Sequence, residues 1–543
     1  MRKQTKIVAA LSATALLALG ASAVTFAAGW DNSTGTWQYL DNNGSAVTDV
    51  WRKSGDYWFY LDSDGNMATD KLVEKDSDYY YVNAEGAMVT NQWVALDSDT
   101  YDTNSDDGEA EYRWYYFGSD GKAYRNKKSS TNVTTSELKT INGKKYAFDA
   151  DGKMLYGWVN ADNAEIQTDD AAWQDSKYYF GGWNDGAATT GWVQMSVDTT
   201  GISDDTDSDT YWFWFDSNGK KKTSGKKVIN GATYYFDQYG RMVDDWADSS
   251  SNDSVSSSTS ASNLIYVNGD GATRKNQWVW AVPDEDYDQH DYDDDNYSWW
   301  WTQANGKVYS DGLKKIKGKY YAFDEKGRML SGVVLYDATG KHYYQKQVVS
   351  GDSFTPVTDS SADDFTDLTG ETFKSLNLDA NDAFYFFGEE KTDGSRKTGY
   401  QNVEFDDDTY QMYFGTNGKA VTGYVSKIKK YTRNGVVLKA NNDDGNYAVI
   451  DNVNDPIDVE YYSQIGTGVV GKMLVNASGT VQKSVKNMKD NNDVYYFTDS
   501  KGYVIYAGDK LTTSKTSAKD YDSTTKTATV VLTVNKTNYY LAD

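Results

Sequence analysis

The chain has no cysteine in 543 residues, and only three prolines and two histidines. The missing cysteine excludes disulfide staples, thiolate metal sites and a cysteine nucleophile. His290 and His342 are the whole supply of imidazole for acid–base work. Positive charge is also short: 54 Lys and Arg stand against 80 Asp and Glu, a net charge of −26. Such a surface repels nucleic acid and anionic lipid and suits a neutral or cationic ligand. Beyond the first twenty residues no apolar run is long enough for a membrane-spanning helix, and helical periodicity is missing. Aliphatic side chains are few, so the 45 Tyr and 18 Trp must supply most of the buried area.

The start of the chain reads as a secretory leader. Met1-Arg2-Lys3-Gln4-Thr5-Lys6 is basic, Ile7 to Leu19 is apolar, and Ala21-Ser22-Ala23 has the small-x-small form of a cleavage site. Residues 1–23 are assigned to it, with Ala27 as the alternative end. Loss of Arg2, Lys3 and Lys6 takes the charge to −29. The expectation is a secreted protein held at the cell surface without a covalent anchor.

What remains is a repeat. The phrase aromatic–Leu/Phe/Val–Asp/Asn–x–x–Gly ends on Gly44, Gly65 and Gly86, 21 residues apart, and again on Gly219 and Gly240 and on Gly306 and Gly327. Intervals of 35, as from Gly86 to Gly121, carry polar inserts. Runs such as "YWFYLD" and "KYYAFD" read as strands, and "SDG", "NNG", "EKG" and "SNG" as the turns that close hairpins. A lone hairpin of about 20 residues cannot bury its aromatic face, so each must stack on its neighbours. The fold class is therefore all-β, an elongated solenoid of β-hairpins with polar loop inserts. The boundaries are repeats over 29–340, a degenerate insert over 341–380, and weaker repeats with a C-terminal cap over 381–543. The acidic inserts 97–111, 203–209 and 284–295 are expected to be solvated loops, and the Ser-rich 247–263 a flexible one.

"GTWQYLDNNGSAVTDVW" (35–51) and "GDYWFYLDSDGNMATD" (55–70) resemble the choline-binding, or cell-wall-binding, repeats of Gram-positive surface proteins. "INGKKYAFDADGKMLYGW" (141–158) and "INGATYYFDQYGRMVDDW" (229–246) look more like the related glucan-binding repeats. The resemblance implies a left-handed β-solenoid with ligands between consecutive hairpins, in cages built from the Trp before a hairpin, an aromatic of its strand and one of the next unit. Carried over residue by residue, it points to Trp30, Trp37 and Tyr39, to Trp51, Trp58 and Tyr60, and to Met67 beside the pocket. It points further to Trp93 with Trp114 and Tyr116, and to Trp278 with Trp299 and Trp301. Lys71-Leu72, where the family has Gly-Trp, departs from the pattern. A quaternary ammonium has no N–H to donate and is held by aromatic faces. Many weak cages on one chain would grip a polymer through avidity.

The function so implied is non-enzymatic attachment to choline-bearing teichoic acid, with no cofactor. The alternatives are an α-glucan-binding adhesin and a structural surface protein that self-assembles and binds no small ligand. No nucleophile elbow is present, and no block of 150 residues without repeats leaves room for a catalytic domain. "DSDG" (62–65) and "DADG" (149–152) open like calcium loops, but Val73 and Asn160 stand where the bidentate Glu belongs. No metal site is assigned, although 284–295, with eight acidic residues in twelve, could gather calcium weakly by charge.

Overall fold

The computed structural model describes residues 28–98, 110–126, 137–160, 166–199, 202, 210–267, 269–344, 347–350, 353–356, 378, 381–405, 408–440, 446–451, 456–457, 472–498, 500–508, 510, 517–522, 527–534 and 537–540. The leader, the acidic stretch 203–209 and most of 97–111 lie outside them. Two compact units divide at Val243 and Asp244. Each is a run of antiparallel hairpins, and the only helical pieces among the described residues are short turns such as Ala172–Asp175, Ala261–Asn263 and Gln289–Asp293.

In the first unit the hairpins Val50–Ser54/Tyr57–Leu61 and Lys71–Lys75/Asp78–Val82 show the plain form. Their strands are joined by two residues, Gly55-Asp56 and Asp76-Ser77. The "ING" units use Asn142-Gly143 and Asn230-Gly231, both residues at positive φ, as a tight two-residue turn requires. The "SDG" turns are therefore not the hairpin tips expected from the sequence. They follow the returning strand and lead into the next hairpin, because Gly65 donates to Asp62 O while Met67 pairs back with Leu61.

The motif Asp holds that turn. Asp62 Oδ1 accepts from the N–H groups of Asp64 at 3.0 Å and Asn66 at 2.9 Å, and Asp149 and Asp216 repeat the pair of bonds. This accounts for the calcium-like spelling: the oxygen is committed to backbone donors. Asn83 and Asn476 do the same with their amide oxygens. Asp62→Asn should therefore be nearly silent, whereas Asp62→Ala should cost about 1 kcal/mol, as read by urea unfolding; equal losses would contradict this role.

Several large inserts enter at the same place, the tip between the two strands of a hairpin. Gly332–Asp337 pairs with Ala383–Phe387 in the usual register, Gly332 opposite Phe387, so the degenerate stretch is an insertion within one hairpin. Likewise 249–263 lies between Trp246–Asp248 and Leu264–Tyr266, and 282–297 between Gln277–Ala281 and Ser298–Thr302. A tip lies away from the stacking faces, where added residues disturb least.

Two inserts differ from expectation. The Ser-rich one is packed: Val255 and Ala261 are buried, and Thr259 Oγ1 donates to the buried Asp248 at 2.9 Å. The acidic 284–295 is largely exposed, as expected, but is not a loop solvated throughout. It folds into the turn Gln289–Asp293 and buries Asp288 and Asp291. Lys326 reaches Asp288 at 2.6 Å, and Arg328 pairs with Asp291 and Asp324. Buried carboxylates need such partners, and a cationic turn in the following hairpin supplies them.

Candidate functional site

Hairpins join through one recurring bond. The residue two beyond the turn glycine donates its N–H to the carbonyl of the first ring position in the preceding hairpin's returning strand. Met67 donates to Trp37 O, Met88 to Trp58, Met154 to Trp114, Met242 to Trp212 and, in the second unit, Met329 to Trp299, all at 2.7–2.8 Å. Elsewhere the donors are Ala123 to Tyr79, Ala188 to Lys145, Lys221 to Lys177, Val308 to Leu264, Arg396 to Tyr320 and Ala420 to Phe384. In all five seams whose acceptor is tryptophan, the donor is methionine. Met67 and Met88 then lie beneath Gly86 and Gly121 of the hairpin after, where any Cβ would strike the thioether. These glycines also sit at φ +81° and +76°, so the backbone itself favours glycine.

The rings around each such seam follow from strand alternation, which puts residues i and i+2 on one face. Trp51 stands opposite Tyr60 in its own hairpin and meets Tyr80 of the next at 5.2 Å. Trp30 likewise stands opposite Tyr39 and meets Phe59 at 5.4 Å. Three further seams share one constellation. Trp93 lies 6.5 Å from Trp114 at 82°, 5.1 Å from Tyr116, and 4.9 Å from Tyr146 of the next hairpin. Trp192 repeats this with Trp212 (6.3 Å, 88°), Trp214 (5.3 Å) and Tyr234 (4.8 Å). Trp278 repeats it with Trp299 (6.2 Å, 84°), Trp301 (5.3 Å) and Tyr321 (4.9 Å).

All the residues singled out from sequence thus lie at seams, but in unequal places. Trp58 is 40% exposed, while Tyr60 and Trp301 are buried at 7% and 8% and back the leading tryptophan. Met67 bonds across the first seam, to Trp37, rather than serving the second hairpin's own rings. The sequence reading missed the Trp192 seam entirely, the next-hairpin rings Phe59, Tyr80, Tyr146 and Tyr321, and the equivalent methionines. Leu72, the departure from Gly-Trp, packs with Tyr81, Val89 and Tyr115 in an apolar cluster.

One seam of the first unit carries a cation. Lys221 is 3% exposed, and its Nζ lies 5.2 Å from the Trp158 ring and 6.0 Å from that of Phe213. It donates to the carbonyls of Trp173 and Gln174. Burial pushes its ammonium down to about 7, against the pull of the Asp237 and Asp175 carboxylates.

The histidines lie apart from this chemistry. His290 is an exposed partner of Asp294. His342 Nδ1 bonds Asp311 at 2.7 Å, and that bond and the nearby carboxylates raise its pKa above 6.5. A raised folded value means that its contribution to stability is full below 6.5 and is lost as pH rises through the folded pKa. Asp311→Asn should flatten that part of the stability–pH curve; an unchanged curve would deny the coupling. Among the described residues no group of three or more His, Asp or Glu is arranged to hold a metal ion.

Residues 47–93 match the family model of the choline-binding repeat. Glucosyltransferase-S of Streptococcus mutans serotype c is 24% identical over 307 residues, which are 53% of this chain and 17% of that protein. Among solved structures, CbpJ of Streptococcus pneumoniae is 15% identical with a TM-score of 0.33, the match covering 68% of this chain and 99% of that one. The modular autolysin LytC of the same organism is 18% identical with a TM-score of 0.30, covering 57% of this chain and 54% of that one. The chain thus spans only part of the length of the glucosyltransferase and of the autolysin.

Proposed function

We propose that this chain, which carries repeats of the choline-binding family, attaches non-covalently to a cell-surface polymer bearing quaternary ammonium groups and catalyses nothing itself. Choline-bearing teichoic acid is the polymer that fits, and the site of action is the wall outside the cell. The carrying observation is the pairing of tryptophan acceptor with methionine donor at five seams and at no other described seam of this kind. Each of these seams also has a leading tryptophan and a Phe or Tyr from the next hairpin. Two perpendicular faces that share a cation about 4.5 Å from each centroid stand about 6.4 Å apart. The indole pairs at 6.2–6.5 Å and 82–88° suit that arrangement. Methionine adds a soft, polarisable wall, and the acidic surface favours a cationic ligand over long range.

A second reading, α-glucan binding, is favoured by a different feature. Trp280 and Tyr297, 37% and 50% exposed, stack 5.8 Å apart at 21°, a flat platform of the kind on which sugar rings lie. The likeness to a glucosyltransferase points the same way. Parallel columns separate the readings. Retention on a tertiary-amine resin with release by choline is the expected result; passage through that resin with retention on dextran would transfer the function to glucan.

A further inference from the structure

We propose that Lys221 and Arg396 are built-in cations that fill the aromatic sites of their own seams, closing them to external ligands. The inference rests on the reading of the methionine seams as cation sites and names the seams that cannot serve. Lys221 occupies the methionine place by every backbone criterion. It bridges to Phe215 as Met67 bridges to Leu61, and donates its N–H to Lys177 O as Met67 does to Trp37 O. Its seam keeps a leading tryptophan, Trp158, and a ring from the next hairpin, Phe213, the places held by Trp93 and Tyr146 in the Trp93 seam. What it lacks is the second tryptophan, replaced by Lys177.

Into that site the chain sends its own ammonium, facing both rings and capped by two backbone carbonyls. A long cationic side chain at a surface position keeps its head in water; this one is almost wholly enclosed. Lysine needs only an aromatic face plus acceptors for its N–H groups, so the Trp173 and Gln174 carbonyls complete a site that a quaternary ammonium would leave half-used. Arg396, half-buried, repeats the backbone part of this arrangement in the second unit, with Leu313 in the place of the leading tryptophan. It bridges to Phe387, donates its N–H to Tyr320 O, and sets its guanidinium 4.4 Å from the Tyr320 ring. In both seams where methionine gives way to a cation, that cation lies on a seam ring; Arg52 near Tyr39 and Arg125 near Tyr79 also meet seam rings, but from positions other than the methionine place.

The test is a count of tetramethylammonium sites by calorimetry at pH 6, on the full chain and on Lys221→Met. The variant should bind one more equivalent than the wild type, and adding Trp158→Ala should abolish the gain. A folded Lys221→Met with an unchanged count overturns the proposal while leaving wild-type binding, and the reading of the methionine seams, intact. A gain in the variant over a silent wild type sustains this proposal and removes that reading; silence in both removes the two together. Should Lys221→Met not fold, Lys221→Gly supplies the second arm. Its melting temperature should be restored saturably by n-butylammonium and not by n-butanol; an equal response to both would overturn the proposal.

Discussion

Alanine in place of Trp37, Trp58, Trp114, Trp212 and Trp299 together should lower retention on a choline-bearing polymer by a factor of about 10²–10⁴ while the hairpins stay folded. Each aromatic face on a cation contributes roughly 0.5–2 kcal/mol, too little alone to hold a polymer. Linked sites multiply, and losing all of them removes the avidity as a whole. The fold should survive because the inter-hairpin bond at this position uses the backbone carbonyl, whatever the side chain. Lys145, Lys177 and Leu264 stand at the same place in other seams and accept the same bond. Trp58 and Trp212 are each 40% exposed, so their removal leaves little cavity. Single substitutions should weaken retention stepwise. Full retention by the fivefold variant, with its circular dichroism unchanged, would show that these rings do not carry binding.

The opposite behaviour is expected at Trp300. Its ring is fully buried, its Nε1–H donates to Ala281 O at 3.0 Å, and it meets Trp246 at 5.0 Å edge to face. Leu264, Val279 and Val308 complete the cluster. Trp300→Ala should destabilise the unit Asp244–Asp543 by about 3–5 kcal/mol, since it opens a large cavity and strands part of the cluster that Trp246 shares. Trp300→Phe should recover part of this loss, returning ring contacts but not the N–H bond. A loss under about 1 kcal/mol in urea unfolding would mean that the packing around Trp300 is not as described. The neighbouring indoles make the contrast sharp: Trp299 belongs to the perpendicular pair with Trp278, and Trp300 belongs to the core.

That contrast also shows how far the sequence could be read. Turn glycines at a fixed interval, with aromatics before them, are enough to give hairpins that stack, and the two-residue periodicity of "SWWWT" says that Trp299 and Trp301 share a face. The sequence does not say which turn closes the hairpin. "SDG" and Asn-Gly are both strong turn signals, but it is Asn142-Gly143, and in the plain units pairs such as Gly55-Asp56, that lie between the strands. Misplacing the turn assigns Met67 to its own hairpin instead of the seam before it. Rings were grouped by hairpin for the same reason, so Tyr39 and Tyr60 were named where Phe59 and Tyr80 come from the neighbour.

The Trp192 seam was missed although its tryptophan spacing is close to that of two seams the sequence reading did name. In plain hairpins the two tryptophans are seven residues apart, as Trp30 and Trp37 or Trp51 and Trp58. With an insert at the tip the spacing becomes 21 for Trp93 and Trp114, 20 for Trp192 and Trp212, and 21 for Trp278 and Trp299. A search for that second spacing, followed by methionine two residues past the next hairpin's turn glycine, would have found these three, and the spacing of seven with the same methionine the other two. The paired acidic insert was not legible at all, since Lys326 and Arg328 lie more than thirty residues from the carboxylates they meet.

The most direct test of the central claim is a calorimetric titration of the chain with choline, with Trp58→Ala titrated in parallel. The account predicts saturable binding at about five equivalents, one for each tryptophan–methionine seam, and about one fewer in the variant. No saturable heat, or a stoichiometry that Trp58→Ala leaves unchanged, would contradict it and return the aromatic seams to packing alone.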